Sequence, residues 1–288
     1  MRSSTLAQTK DLLRELHLRA RKGLGQHFLV DQSVLQKIIS AAELVSNDTV
    51  VEVGPGLGIL TAELAKRAGK VLAIEVDPEL FSFLAAKFSR LTNVILINED
   101  ILRFEMSRLL SLSSTEQPKH GYKVVANLPY YIASPVIRRF LEAPLKPSLM
   151  VVMVQKEVAQ SIVASAGKMS LLSVGIQLYG RPKIVAWVPA RSFYPPPKVD
   201  SAIVRIEVYE HPAVEVEPEG FFQVVRAGFA APRKQLRNAL AQGLSIPAKV
   251  AAELLNRAGI APQRRAETLS LEEWAELYRV FNSTKPED

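Results

Sequence analysis

The chain has 288 residues, enough to bury a substantial core and form one large and one small domain, and its 36 Lys and Arg against 29 Asp and Glu give a net charge of +7 and a pI near 9.5. A basic balance favours a polyanionic partner, although many soluble proteins are mildly basic and bind no nucleic acid. The absence of cysteine excludes disulfides, thiolate nucleophiles and zinc–thiolate sites, and the four histidines, His17, His27, His120 and His211, lack metal-ligand spacing, so no metal is expected. No apolar run approaches the roughly 18 residues of a membrane helix, and Asp11 and Glu15 interrupt the N-terminal stretch where a secretory signal would be apolar. This composition suits a reducing cytosol.

Taken in chain order, Leu6 to Leu18 reads as a short amphipathic helix, and Lys10 to Lys22 is enriched in Lys and Arg. Asp31 can cap a helix running from Ser33 to about Leu44. Thr49 to Val53 is a β-branched strand that runs into Gly54-Pro55-Gly56-Leu57-Gly58, after which Ile59 to Ala68 has helical spacing. A second strand, Val71 to Ile74, ends at Glu75; a third, Val94 to Ile97, is followed by Asp100; a fourth, Lys123 to Ala126, leads into Asn127-Leu128-Pro129-Tyr130. Further strands are expected near 149–154 and 184–188, then a stiff loop from Pro189 to Pro197 and a last strand from Lys198 to Val208. Strands alternating with helices imply a largely parallel sheet covered on both faces. Residues 211–220 lose periodicity and mark a linker, and Phe221 to about Phe281 is helical, with Gly243, Pro247 and Pro262 separating short helices.

The strand tips carry the chemistry. Glycines after a first parallel strand let the backbone approach a nucleotide in the crevice outside the strand ends. A dinucleotide fingerprint would want its third glycine where Ile59 stands, whereas glycines at 54, 56 and 58 have the spacing seen in S-adenosylmethionine (AdoMet) methyltransferases. Glu75 can take both ribose hydroxyls of either cofactor, and Asp100 can accept the amino group of an adenine, though it equally suits a helix cap. In Asn127-Leu128-Pro129-Tyr130 the amide and a neighbouring carbonyl can accept hydrogen bonds from an exocyclic amine. Pro129 stiffens the turn, and Tyr130 offers a ring to a base. Taken alone, those four residues also suit an ordinary strand-to-loop turn. Arg226, Arg233, Lys234 and Arg237 form a basic run without an acid on an expected helix; such a run suits a solvated helix face or, as favoured beside an adenine pocket, contacts to phosphates.

The chain resembles the KsgA group of ribosomal RNA adenine dimethyltransferases from about Lys22 to about Leu277. The likeness rests on Leu24-Gly25-Gln26-His27-Phe28-Leu29, Val51-Glu52-Val53-Gly54-Pro55-Gly56, Asn127-Leu128-Pro129-Tyr130, Gln155-Lys156-Glu157-Val158 and Phe193-Tyr194-Pro195-Pro196-Pro197-Lys198-Val199-Asp200-Ser201. It implies a Rossmann-like α/β AdoMet-dependent methyltransferase fold with its last strand antiparallel over residues 1–210, including an N-terminal helical lid. A linker over 211–220 and a small all-helical RNA-binding domain over 221–288 would follow. The implied cofactor positions are His27, Leu29, Gly54, Gly56, Glu75, Asp100 and Asn127; His27 stands where the family commonly has asparagine. The implied activity is dimethylation at N6 of two adjacent adenosines in the 3′-terminal hairpin loop of small-subunit ribosomal RNA, during ribosome assembly; no heptad or exposed apolar stripe suggests more than a monomer, and the composition suits the cytoplasm. Asn127, Leu128, Pro129 and Tyr130 would hold the flipped adenine, with Phe193 as the second aromatic face. Lys198 and Asp200 are read as structural or RNA-positioning residues. Alternatives are a large-subunit adenine methylase of the macrolide-resistance type, a DNA adenine methyltransferase, which would more often carry proline at Leu128, and a non-catalytic RNA-binding assembly or transcription factor.

Overall fold

In the computed structural model, which describes residues 5–15, 21, 23, 25–109 and 121–284, the apolar runs become one seven-stranded sheet. His17 and His120, with Lys22 and Leu24 of the N-terminal motif, lie outside the described residues. The strands are β2 (Thr49–Val53), β3 (Lys70–Glu75), β4 (Val94–Asn98), β5 (Lys123–Asn127), β6 (Leu149–Gln155), β7 (Gly180–Val188) and β9 (Ser201–Val208); β1 (Phe28–Leu29) and β8 (Phe193–Tyr194) form a separate two-residue pair. The sheet order is β4-β3-β2-β5-β6-β9-β7. The first five strands in that order run parallel, and β9 pairs antiparallel to β6. All five residues of β2 are buried, as a central strand covered on both faces requires.

One face of the sheet packs under the helix Gln32–Ala42, where Val34, Leu35 and Ile38 join Val50, Val125, Val151 and Met153 in a single cluster. Asp31 caps that helix, its carboxylate accepting from the amides of Ser33 and Val34. The resemblance makes this helix part of the N-terminal lid over the cofactor; in the structure its apolar stripe is spent on the sheet. The N-terminal helix, described over Thr5–Glu15, buries Leu13 against Phe28, Leu57 and Leu80.

The chain divides into two compact units, one comprising 1–159 and 182–208, the other 160–181 and 209–288. The second unit thus takes in 160–181, within the stretch that the sequence assigns to the first. The reason is local packing: Gly175 sits against the Phe222 ring, and the Gly167 and Met169 amides donate to the Glu267 carbonyl. Its helices Pro218–Phe229, Leu236–Leu244, Ala248–Arg257 and Leu271–Asn282 enclose Phe221, Leu240, Leu255 and Trp274. No helix among the described residues is long and apolar enough to cross a membrane.

Gly58 fixes where the first loop turns into its helix. Its φ of +72° is left-handed, and a β-carbon there would stand 2.7 Å from Leu84 Cδ2 and from the Phe88 ring. Gly58→Ala therefore combines backbone strain with overpacking and should cost on the order of 2–4 kcal/mol in denaturant unfolding. An unchanged midpoint would show that the loop relaxes freely.

Candidate functional site

The carboxyl ends of β2, β3, β4 and β5 border one cavity of about 260 Å³, set entirely within the first unit. Into it the structure brings His27, Leu29, Gly54, Gly56, Glu75, Asp100 and Asn127, together with Leu128, Pro129 and Tyr130. Register explains the convergence: Val53 is paired with Ile74 and Glu75 with Asn98, so neighbouring parallel strands end level and their tips share one rim.

The Gly54 and Gly56 backbones, with φ of +67° and +57°, turn this loop back toward β3. The Gly56 amide donates to Glu75 Oε2 at 3.3 Å and the Asp77 amide donates to Oε1 at 2.9 Å, so both carboxylate oxygens are anchored while their remaining lone pairs can serve a ligand hydroxyl. Burial pushes the Glu75 carboxyl above its ordinary range, with the two amides working against it. Asp100 opens a turn, accepting from the Leu102 amide at 2.9 Å, and also lines the cavity.

Asn127 ends β5. Its Nδ2 donates to the His27 carbonyl at 3.1 Å, which fixes the amide plane and leaves Oδ1 as the acceptor it can offer a ligand. Because a carbonyl only accepts, the 2.7 Å contact between His27 Nδ1 and the Pro195 carbonyl places the proton on Nδ1. The His27 ring stacks on Tyr130 with centroids 5.4 Å apart, covering one face of the tyrosine. Tyr130 Oη shares a 2.6 Å hydrogen bond with Ser201 Oγ, which holds the ring from the far side. Gln26 Nε2 donates to Asp77 Oδ2 and Arg21 pairs with both Asp77 and Glu79, so the segment before β1 is strapped to the tip of β3. Arg21 is exposed, and its charge is paired with these two acids.

Phe193 is not part of the cavity. It is 2% exposed, pairs with Leu29 across β1 and β8, and packs in the main core, because a two-residue strand pair between distant segments turns its ring inward. The aromatics that do line the cavity besides Tyr130 are Phe28 and Tyr131, the latter 55% exposed with its ring against Gly25. The signal for Tyr131 was a second aromatic directly after the Asn-Leu-Pro-Tyr turn. The basic run is likewise rearranged: Arg226 lies on the helix Pro218–Phe229 and Arg237 on Leu236–Leu244, with exposed Arg233 and Lys234 in the turn between them. Pro232, lacking an amide proton, ends the continuous helix expected there.

Glu52 is the residue that sequence reading passed over. It sits within β2, 1% exposed, on the cavity wall, and its Oε2 has no hydrogen-bond partner; Thr61 Oγ1 beside it has none either. Burial pushes its carboxyl up to about 8. A carboxylate inside a β-branched strand was the available signal. Between its ordinary 4.5 and about 8 the folded protein holds a proton that the unfolded chain has lost, so this group lowers stability as pH rises through that window. The melting temperature of Glu52→Gln relative to the parent should therefore climb from about pH 5 to about pH 8. A difference independent of pH would contradict a buried, protonated Glu52.

The sequence profile described as "Ribosomal RNA adenine dimethylase" matches residues 17–283. The chain is 55% identical over 275 residues to a "Ribosomal RNA small subunit methyltransferase A" of Dehalococcoides mccartyi strain BAV1, covering 95% of this chain and 92% of that protein. It is 47% identical over 282 residues to the protein of the same name from Pelotomaculum thermopropionicum, covering 96% of each. Among solved structures it is similar to a dimethyladenosine transferase from Plasmodium falciparum, with a TM-score of 0.74 and 28% identity over 89% of this chain and 98% of that one. The 23S rRNA methyltransferase ErmE superposes with a TM-score of 0.67 at 30% identity, over 88% and 99%. A profile spanning nearly the whole chain, on a fold whose glycine loop, strand-tip acids and Asn-Leu-Pro-Tyr turn face one cavity, makes this chain a member of the ribosomal RNA adenine dimethylase family.

Proposed function

We propose that the protein transfers methyl groups from AdoMet to N6 of two adjacent adenosines in the 3′-terminal hairpin loop of small-subunit ribosomal RNA, working in the cytoplasm as a monomer on the immature subunit. The observation that carries this reading is the placement of Asn127, held by His27, in the same cavity as Glu75, Asp100 and the glycine loop.

The cavity suits AdoMet on chemical grounds. A buried carboxyl with an unpartnered oxygen on the wall fits a ligand that brings a hydrogen-bond donor, and Glu75, anchored by two amides, fits a ribose diol. Gly54 and Gly56 would leave room for the methionine end beside His27 and Leu29, and Asp100 would accept from the adenine amine. AdoMet, when bound, supplies an electrophilic methyl group on a sulfonium that departs as a thioether.

The remaining work falls to the chain. The N6 lone pair of adenine is conjugated with its ring, so the nitrogen is a poor nucleophile until its hydrogens are drawn out of plane. Asn127 Oδ1 and the Leu128 carbonyl would accept those hydrogens and turn the lone pair toward the methyl carbon. Pro129 fixes the turn, with φ of −57°, and Tyr130, backed by His27 and tied to Ser201, would present its open face to the flipped base. So oriented, the nitrogen would take the methyl group that AdoMet supplies, and the proton it sheds would pass to solvent. Exposed Arg226, Arg233 and Lys234, with Arg237, would meet RNA phosphates.

Asn127→Ala should leave AdoMet affinity, measured by calorimetry, within a few-fold of the parent while methyl transfer falls by roughly two to three orders of magnitude, the usual loss when one positioned transition-state contact is removed. Affinity lost in step with rate would make Asn127 a cofactor ligand and nothing more. Replacing Arg233 and Lys234 together by Ala should weaken RNA binding and lower the slope of log affinity against log salt by up to about two. Identical slopes would remove these residues from the interface.

A further inference from the structure

At the sheet edge beyond the cavity stands an aromatic that neither the core nor the catalytic machinery uses. β7 is the terminal strand of the sheet, and its outward positions Lys183, Val185 and Trp187 alternate with half-buried ones. An edge strand is protected by charge and proline, which Lys183 and Pro182 supply, so edge protection does not call for a large indole. Trp187 is nonetheless 48% exposed, with Val185 and Val199 also uncovered. One side of its ring is engaged: Lys156 Nζ lies 5.7 Å from the ring centroid.

The patch is linked to the cavity through the sheet. Lys156 directly follows β6, and its amide donates to the Asp200 carbonyl at 2.9 Å. Gln155 is paired with Ser201, and Ser201 Oγ is hydrogen-bonded to Tyr130 Oη. From β5, which carries Asn127, to β7, which carries Trp187, there are three strand spacings, roughly 14 Å. On the adjoining segments of chain Lys156, Lys198 and Arg191 are exposed, with Lys183 turned toward Glu207 at 3.8 Å. The acids are Glu157, which is exposed, and Asp200, whose Oδ1 accepts from the Ala190 amide. A half-exposed indole with a lysine over its ring matches an unpaired nucleotide: the base has a π-face for the indole and the phosphate has charge for Lys156.

We propose that Trp187, backed by Lys156, is a stacking platform for an unpaired base that flanks the target adenosine in the RNA substrate. This rests on the methyl-transfer reading above and adds a second hold on the same strand, outside the catalytic cavity. The platform positions substrate and touches no reacting atom.

The chain contains two tryptophans, and Trp274 is fully buried in the other unit, so surface changes in indole emission report Trp187. Titration with single-stranded oligoadenylate should quench emission, a duplex of equal charge should quench it far less, and Trp187→Phe should abolish the response while anisotropy of labelled RNA still shows binding. In steady-state methyl transfer to small subunits lacking the dimethyladenosines, Trp187→Ala should raise KM for the subunit roughly tenfold with kcat and AdoMet affinity unchanged, and Trp187→Phe should largely restore KM. Binding of oligoadenylate without quenching, equal quenching by the duplex, or an unchanged KM in Trp187→Ala would each overturn the platform while leaving methyl transfer intact. An emission change on whole subunits that naked RNA cannot reproduce would assign the patch to a protein partner and overturn it too. A parent protein that transfers no methyl group to subunits would defeat both this proposal and the reading on which it rests.

Discussion

The level pairing of β2, β3, β4 and β5 is the constraint on which the cavity depends. A one-residue slip between parallel strands would send Glu75 or Asn127 to the opposite face of the sheet, and the strand tips would no longer share a rim. Burial on both faces enforces the register, since β2 and β3 have almost no position at which a slipped residue could meet water. The sheet thus does by packing what no side-chain contact in the cavity could do alone, and delivers a glycine turn, two acids and an amide to one place from segments spread over about 75 residues.

A second layer of constraint comes from the segment that precedes β1. Arg21 and Gln26 bind the β3 tip through Asp77, and His27 binds the Pro195 carbonyl, the Asn127 amide and the Tyr130 ring. Asn127 is therefore not oriented by its own turn but by a residue 100 positions earlier, and Tyr130 is clamped between His27 and Ser201. An Asn-Leu-Pro-Tyr turn without these partners would have the right atoms and no fixed direction for them, and fixed direction is what a weak amine nucleophile needs. Histidine at position 27 serves this purpose through its carbonyl and ring, neither of which demands the amide that is common there in the family.

Residues at strand tips were legible in the sequence because an apolar run marks its own end: the glycines at 54, 56 and 58, Glu75, Asp100 and Asn127 each follow one. Asp31 was legible as a cap, because capping is local chemistry. What could not be read depended on contacts between distant segments. Phe193 turns into the core because it pairs with Leu29, 164 residues away, and no periodicity in Pro189 to Pro197 announces that. The helix Gln32–Ala42 reads equally as lid or as core until the cluster it joins is known. The Arg226 to Arg237 run looked like one helix because its composition is helical, whereas Pro232 divides it. Glu52 was visible as an acid among Val50, Val51 and Val53, but its missing partner belongs to the folded state alone.

The most direct test of the account is methyl transfer from labelled AdoMet to small ribosomal subunits that lack the terminal-hairpin dimethyladenosines, with the modified nucleotides mapped by mass spectrometry. The account predicts N6,N6-dimethyladenosine at two adjacent positions of the 3′-terminal hairpin loop. Label confined to large-subunit RNA or DNA would leave the adenine chemistry in place and contradict the assigned substrate. No label in any nucleic acid, with RNA binding intact, would contradict the enzyme itself and leave an RNA-binding protein on a methyltransferase fold.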